Sequence, residues 1–325
     1  MNVFITGGGG FLGARLARTI LARGTLVDRD GRPRPVTRVR LFDTAFPANL
    51  DSRLETIAGD LSEPGALEAA LTPDTDVVFH LAAVVSGGAE ADFDSGMRVN
   101  FSGTHRLLEA CRKLASRPQL LFTSSVAAFG GELPAVLDDH TTANPQSSYG
   151  AQKVIGEYLV ADYTRKGFID GISLRLPTVV VRPGRPNLAA SSFASSVIRE
   201  PLAGETSVCP VPASTGVWLL SPPRVIDSFF HAQALPRSSW GMSRVLNLPG
   251  ITVTVGEMVD ALARIAGAQT AARVRFVPDA RIQAIVETWP IRFVTARANA
   301  LGFSADVDID SVIRAHITDS ESPRK

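Results

Sequence analysis

Thr6-Gly7-Gly8-Gly9-Gly10-Phe11-Leu12-Gly13 is the stretch that decides how this chain folds. The apolar run Val3-Phe4-Ile5 leads directly into it, and from Phe11 to Arg23 apolar residues recur at helical spacing, at Leu12, Leu16, Ile20 and Leu21. That order predicts a strand, a glycine turn and a helix. Gly7, Gly10 and Gly13 stand three apart, which allows a tight turn, close approach of a pyrophosphate to the backbone, and packing of the new helix on a sheet. The helix N-terminus, with its free N–H groups and positive dipole end, would face the phosphates, and Phe11 and Leu12 lie in that first turn.

Downstream of the turn, Gly24 to Thr37 is rich in Asp, Arg, Gly and Pro and reads as an exposed hairpin-like excursion around Asp30-Gly31. The second sheet strand is Arg38 to Phe42, ending on Asp43. An acidic residue at that strand end accepts from the adenosine ribose hydroxyls and repels a 2′-phosphate, so NAD is expected over NADP. Leu54 to Ala58 is a third strand, running into Gly59-Asp60-Leu61, with Ser62-Glu63-Pro64 opening a helix. Asp76 to Leu81 is a buried strand that leaves through the small residues Ala82 and Ala83, where a cofactor can pass close to the backbone. His80, inside this apolar run, reads as a packed core histidine.

Ala91 to Leu114 has a helical pattern with Asn100 on its buried face. A buried amide must satisfy its polar atoms, as a clamp on a neighbouring loop or as part of a site. Gln119 to Thr123 is the fifth strand, followed by Ser124 and Ser125 where such sheets present their ligands. A helix capped by Ser147 or Ser148 then opens on Tyr149-Gly150-Ala151-Gln152-Lys153. A separation of four puts phenol and ammonium on one helix face. A nearby positive charge stabilises phenolate, as would an oxidised nicotinamide, and a phenol that titrates near pH 10 is brought toward use as a general base.

Bulk properties narrow the partners. At 325 residues and 45% hydrophobic content the chain can bury one large α/β unit and a smaller lobe. Thirty-three basic against 32 acidic side chains leave a net charge of +1, so no global field recruits nucleic acid or an anionic membrane. Cys111 and Cys209 are far apart, and no clustered His accompanies them, so no metal site is expected. No apolar stretch reaches the roughly 18 residues of a membrane span, and no basic leader opens the chain, which leads to the expectation of a cytoplasmic protein.

Together these residues resemble the extended short-chain dehydrogenase/reductase (NAD-dependent epimerase/dehydratase) superfamily, over the whole chain. The resemblance implies an α/β fold, a Rossmann-type doubly wound parallel sheet over residues 1–176 with 224–236 packing back on it. Residues 177–223 and 237–325, including a strand at Val245 to Leu248, would form a smaller C-terminal substrate lobe. It implies NAD held by Gly7, Gly10, Phe11, Leu12, Gly13, Asp43, Asp60, Leu61, Ala82, Ala83, Asn100, Tyr149, Lys153, Pro177 and Val179. It assigns the catalytic set to Ser125, Tyr149 and Lys153, Ser125 being four residues ahead of Phe129-Gly130, where Phe129 replaces the commoner Tyr. Asn100 takes a positional role.

The passage from Val181 to Phe193 departs from sugar-nucleotide epimerases, which grip a nucleotide diphosphate there. Its residues suit a smaller polar substrate: Arg182 for a carboxylate, and Asn187, Ser191 and Ser192 for hydroxyls, with Ser125, Tyr149 and Trp218 completing the pocket. Asn187 and the serines have a plainer reading as helix caps, and Trp218 as a core residue. Within the superfamily the Leu174 to Thr178 passage, the Arg182-Pro183-Gly184 turn and Ser191-Ser192-Phe193 look most like the D-erythronate dehydrogenase subgroup. That implies NAD-linked oxidation of a small polyhydroxy acid, and superfamily habit implies a homodimer. The rival readings are an epimerase that keeps its NAD bound and a dinucleotide sensor without chemistry; Val126 beside Ser125, where dehydratases commonly carry an acid, argues against dehydration.

Overall fold

Seven parallel strands form the central sheet of a computed structural model that describes residues 1–184 and 191–321. Strand β1 (Asn2–Thr6) sends Val3 and Ile5 into the core on one face and Phe4 into the core on the other, as period-two alternation requires. Helix α1 (Phe11–Arg23) follows the glycine turn and stops at Gly24, whose φ of 67° lets its N–H reach the carbonyl of Ile20. The excursion is a short antiparallel hairpin, β2 (Thr25–Val27) with β3 (Pro33–Pro35). Next come β4 (Arg38–Asp43), β5 (Glu55–Ala58), α2 (Ala66–Ala70) and β6 (Val77–His80). Ser62 to Pro64 is a turn, and α2 begins only after Gly65, at φ 80°.

The predicted single helix from Ala91 is three pieces in sequence. After α3 (Ser86–Ala91) come α4 (Phe93–Gly96), a π-helical segment (Met97–Gly103) and α5 (Thr104–Arg112). Asn100 lies in the π segment, and its side chain bonds outward to Val84 and Gln152; such π segments within helices are frequent at functional sites. Strand β7 (Gln119–Ser125), helix α6 (Ser148–Arg165) and strand β8 (Asp170–Leu176) complete this half.

The remaining elements are β9 (Thr178–Val179), α7 (Ser192–Leu202), β10 (Ser207–Cys209), β11 (Gly216–Leu220), α8 (Pro222–Ala234), β12 (Val245–Asn247), β13 (Ile251–Thr254), α9 (Val255–Ala266), α10 (Ala268–Ala271), β14 (Val274–Phe276), α11 (Ala280–Val286), α12 (Ala296–Ala300) and α13 (Ile309–Glu321). Helix α8 buries Val225, Ile226, Phe229 and Phe230 in the same core as β1 and α1. A second core forms around Phe193, Val217, Leu219, Met258, Leu262 and Ile313. The capping box at Thr254 and Glu257 starts α9. Strand β12 is not in that smaller lobe: it pairs in parallel with β8, Val245 opposite Ser173, and Leu246 joins the main core. Its four-residue apolar pattern suits any sheet edge, and only the partner strand decides which.

Sheet order is β12-β8-β7-β6-β1-β4-β5. From β1 the chain winds to one side through β4 and β5, then crosses to the other at β6. The order therefore reverses between β1 and β6, and the carboxyl ends of those two strands are where a doubly wound sheet forms its ligand crevice; Gly7 and Ala82 pack together at its floor, a β-carbon on Gly7 falling 2.7 Å from Ala82 N. Among the described residues no helix is long and apolar enough to cross a membrane.

Candidate active site

The glycine turn is built by the strands around it. Gly7 and Gly8 donate their N–H groups to the carbonyl of Phe42 at 2.9 and 3.3 Å, and Gly7 adopts φ 71°. A β-carbon on Gly13 would lie 2.1 Å from the Gly7 carbonyl oxygen, so helix and strand touch through that position. Gly10 differs, since its β-carbon would meet nothing nearer than the Gly7 oxygen at 3.2 Å. Packing within the chain therefore does not explain its smallness. Gly10 also caps α1 without a side chain, and no acid stands in the first turn. An exposed backbone at a positive helix end, with room kept clear in front of it, fits the pyrophosphate of a dinucleotide.

Asp43 at the end of β4 accepts from Gly9 N at 3.0 Å through one oxygen and from Thr44 N at 2.7 Å through the other, which stations the carboxylate at the mouth of the turn. Asp60 accepts from Ser62 N at 2.7 Å and from the Ser62 hydroxyl at 2.8 Å; the backbone bond holds its carboxyl below the usual range. The Leu61 side chain is core, 4% exposed among Phe4 and Phe42. His80 is a core residue held between the hydroxyls of Thr6 at 2.6 Å and Thr104 at 2.8 Å. Asn100 clamps the loop after β6, accepting from Val84 N at 2.8 Å and donating to Val84 O at 3.0 Å and to Gln152 Oε1 at 2.7 Å. With oxygen and nitrogen both engaged by protein, it positions the loop that follows Ala82 and Ala83.

On the other wall of the crevice Ser147 caps α6, accepting from Gly150 N at 3.1 Å. The Ser125 hydroxyl accepts from Ala127 N at 3.1 Å and so starts the short turn Val126–Ala128. Gly150 presses against that turn, which brings the half-buried Tyr149 near Ser125, whose hydroxyl favours the phenolate form. Lys153 is buried with its Nζ donating to Thr123 O at 2.8 Å, 5.5 Å from the centre of the Tyr149 ring. Ser125, Tyr149 and Lys153 thus converge at the carboxyl end of β7.

Burial pushes the Tyr149 phenol up to about 12, while the charge of Arg182 and the Ser125 hydroxyl oppose it. Burial pushes the Lys153 ammonium down to about 7, against the pull of Glu157. The expected lowering of the phenol by its lysine is not what opposes burial here: the opposition comes from Arg182 and Ser125, and desolvation outweighs both.

Arg182 is the group that draws on Tyr149 most strongly. Its backbone N–H donates to Ser195 Oγ at 3.0 Å, its Nη2 donates to Ser191 Oγ at 2.6 Å, and Arg199 donates to its carbonyl at 2.7 Å. Arg199 has its own acid, Glu200, at 2.6 Å. Among the described residues no carboxylate pairs with Arg182, whose opposite-sign influence comes from Tyr149. Ser192 opens α7, and Asn187 lies outside the described residues.

Pro177 is buried and Val179 half-buried at the start of β9, on the path from β8 toward Arg182. Trp218 is 7% exposed, its Nε1 has no partner among the described residues, and its ring centre is 5.2 Å from that of Phe293. Phe293 in turn meets Phe129 edge-on at 5.7 Å. Sequence reasoning missed Phe293, Gly150 and the buried pair Glu157 and Arg175; none carries a motif of its own, although glycine inside a helix start is a signal for close packing. Among the described residues no group of acids, cysteines or histidines could hold a metal.

The model of the NAD dependent epimerase/dehydratase family matches residues 3–216. A D-erythronate dehydrogenase of Cupriavidus necator is 54% identical over 321 residues, 98% of this chain and 99% of the relative. A D-erythronate dehydrogenase of Haemophilus influenzae is 44% identical over 319 residues, again 98% and 99%. The crystal structure of the nucleoside-diphosphate-sugar epimerase from Agrobacterium tumefaciens superposes with a TM-score of 0.92 at 40% identity, covering 100% of this chain and 96% of that one.

Proposed function

Since this chain belongs to the NAD dependent epimerase/dehydratase family, we propose that it is an NAD-dependent dehydrogenase that oxidises a secondary alcohol of a small sugar acid, with D-erythronate converted to its 2-keto acid. Arg182 carries this reading: a guanidinium beside the phenol, with no carboxylate among the described residues to neutralise it, calls for an anionic substrate. The full-length likeness to two D-erythronate dehydrogenases supports the choice of acid.

In this reading Gly7, Gly10 and Gly13 seat the pyrophosphate with the N–H groups of Phe11 and Leu12, and Asp43 receives the ribose. Asp60 and the Leu61 backbone border the adenine, and Ala82, Ala83, Pro177 and Val179 line the way to the nicotinamide. When bound, the oxidised cofactor supplies the acceptor for the substrate's carbon-bound hydrogen with its electron pair, and a positive charge near the phenol. Ser125 Oγ and Tyr149 Oη hydrogen-bond the substrate oxygen, and Tyr149 takes the alcohol proton. Lys153, anchored on Thr123, stabilises the phenolate and orients the ribose. Arg182 grips the substrate carboxylate, with Ser191, Ser192 and Asn187 toward the hydroxyls and Trp218 as a wall. The dinucleotide unit is 1–176 with 224–236, and 177–223 with 237–325 covers the substrate apart from β12.

A cytoplasmic homodimer completes the proposal. Tyr158 at 73%, Ile155 at 37% and Phe93 at 59% exposure put apolar surface on α6 and α4, a face suited to a second copy. Light scattering at working concentration checks it, and a monomer refutes it.

The test of the reaction is continuous formation of reduced cofactor when NAD and D-erythronate are mixed with the protein, lost in Tyr149→Phe. Failure with D-erythronate and with every C4 to C6 aldonate overturns the reading. The Agrobacterium structure favours a second reading, an epimerase, under which substrate would isomerise with no net reduced cofactor.

A further inference from the structure

One buried carboxylate has no part in the chemistry just described. Glu157 stands one helical turn beyond Lys153 on α6 and is 3% exposed. Its Oε1 accepts from the Ser124 hydroxyl at 2.5 Å and from Arg175 Nε at 2.8 Å, and its Oε2 accepts from Arg175 Nη2 at 2.7 Å. Arg175 also reaches Asn247 Oδ1 at 3.5 Å, and its guanidinium lies 4.7 Å from the centre of the Phe129 ring. The cluster thus ties the strand that ends in Ser125 to the helix that carries Lys153, and both to β8 and β12. Stability alone is a poor reason for it, because desolvating such a pair offsets most of the attraction gained.

We propose that Glu157, clamped by Arg175 and Ser124, is a positioning residue for the reaction: it keeps Lys153 in its charged form, fixes Lys153 relative to Ser125, and so sets the alkaline limit of activity. The inference rests on the reading of Ser125, Tyr149 and Lys153 given above. Lys153 is faced by Tyr149 and Glu157 from its own helix and by His80 from β6, with Arg182 across Tyr149 and Arg175 of β8 bound to Glu157. Of these Glu157 is the carboxylate, and it is the group that opposes the loss of the ammonium proton on burial. The bidentate clamp holds that carboxylate in one place against β7 and β8, one helical turn from Lys153, whose amine bonds the neighbouring Thr123 carbonyl. A neutral amine at Lys153 would no longer stabilise phenolate at Tyr149, so turnover would fall once Lys153 deprotonates.

The experiment is the pH profile of kcat for NAD-linked oxidation by the full chain, with Glu157→Gln as the variant of equal shape and no charge. The alkaline limb is expected to move about one pH unit toward neutrality, the usual effect of removing a nearby opposite charge, with NAD affinity unchanged. Glu157→Asp restores the limb in part. Should Glu157→Gln not fold, Glu157→Asp, which draws the carboxylate back by one methylene, must move the limb in the same direction by a smaller amount. An alkaline limb that stays in place in the variant that folds overturns the inference, even if turnover drops at every pH. Tyr149→Phe is run beside it: full activity there defeats the reaction reading itself, whereas an inactive Tyr149→Phe with an unmoved Glu157→Gln limb defeats only the role of Glu157.

Discussion

A β-carbon on Gly150 would lie 2.1 Å from the carbonyl oxygen of Ala127. The first turn of α6 is therefore in backbone contact with the turn that follows Ser125, and this contact limits how closely Tyr149 and Ser125 approach. Gly150→Ala must push the two apart. We expect a loss of about a hundredfold in kcat, the scale of an ångström of misplacement, with NAD binding retained. Steady-state rates beside an NAD titration check it, and a normal kcat would show that the contact is incidental.

Arg182→Ala should act on the substrate side. A charge-assisted bond is worth roughly 1.5–3 kcal/mol, so kcat/KM for acids should drop by about ten- to a hundredfold, mainly through KM, while the rate with neutral polyols is unchanged. Equal losses for acids and polyols would remove the carboxylate assignment.

Gly10 and Gly13 should separate binding from folding. Gly13→Ala meets backbone at 2.1 Å and should lower the thermal midpoint steeply, whereas Gly10→Ala, at 3.2 Å from one oxygen, should fold normally. The second variant should nevertheless lose NAD affinity by about tenfold or more, 1.4 kcal/mol, because its methyl group enters the space kept for phosphate. Calorimetric NAD titration and thermal melts decide it, and tight NAD binding by Gly10→Ala would relocate the phosphates.

His80 should give an acid-side signature in stability. Burial, assisted by the charge of Lys153, pushes its imidazole from 6.5 down to about 3. Between those values the unfolded chain binds a proton that the folded protein does not, so stability is complete above about 6.5 and falls as pH drops toward 3, by about 1.4 kcal/mol per unit. Urea unfolding at a series of pH values should show this slope reduced in His80→Gln. An identical slope in both proteins would assign it to other groups.

Local pattern carried much of this architecture, because strand, glycine turn and helix are decided within a few residues. Val3 to Ile5, the glycines and the α1 periodicity mark the start of the sheet, and Thr254 with Glu257 marks a helix start through bonds that span one turn. The readings that needed correction depend on distant partners. The π segment holds Asn100, whose partners Val84 and Gln152 are 16 and 52 positions away. Val245 to Asn247 belongs to the main sheet because β8 offers an edge. Glu157 and Arg175, eighteen positions apart, carry no spacing that a reader of sequence would recognise.

By itself the amino-acid order determined a phosphate-ready glycine turn, an α/β alternation, and a tyrosine and lysine on one helix face, since backbone sterics and helical period are short-range. Only the tertiary structure decided that β1 and β6 flank a switch point, that Gly150 against Ala127 delivers Tyr149 to Ser125, and that no carboxylate among the described residues pairs with Arg182. Those are consequences of which surfaces exclude water from one another, and the strengths of the charges inside, Lys153 and Tyr149 above all, follow from that exclusion.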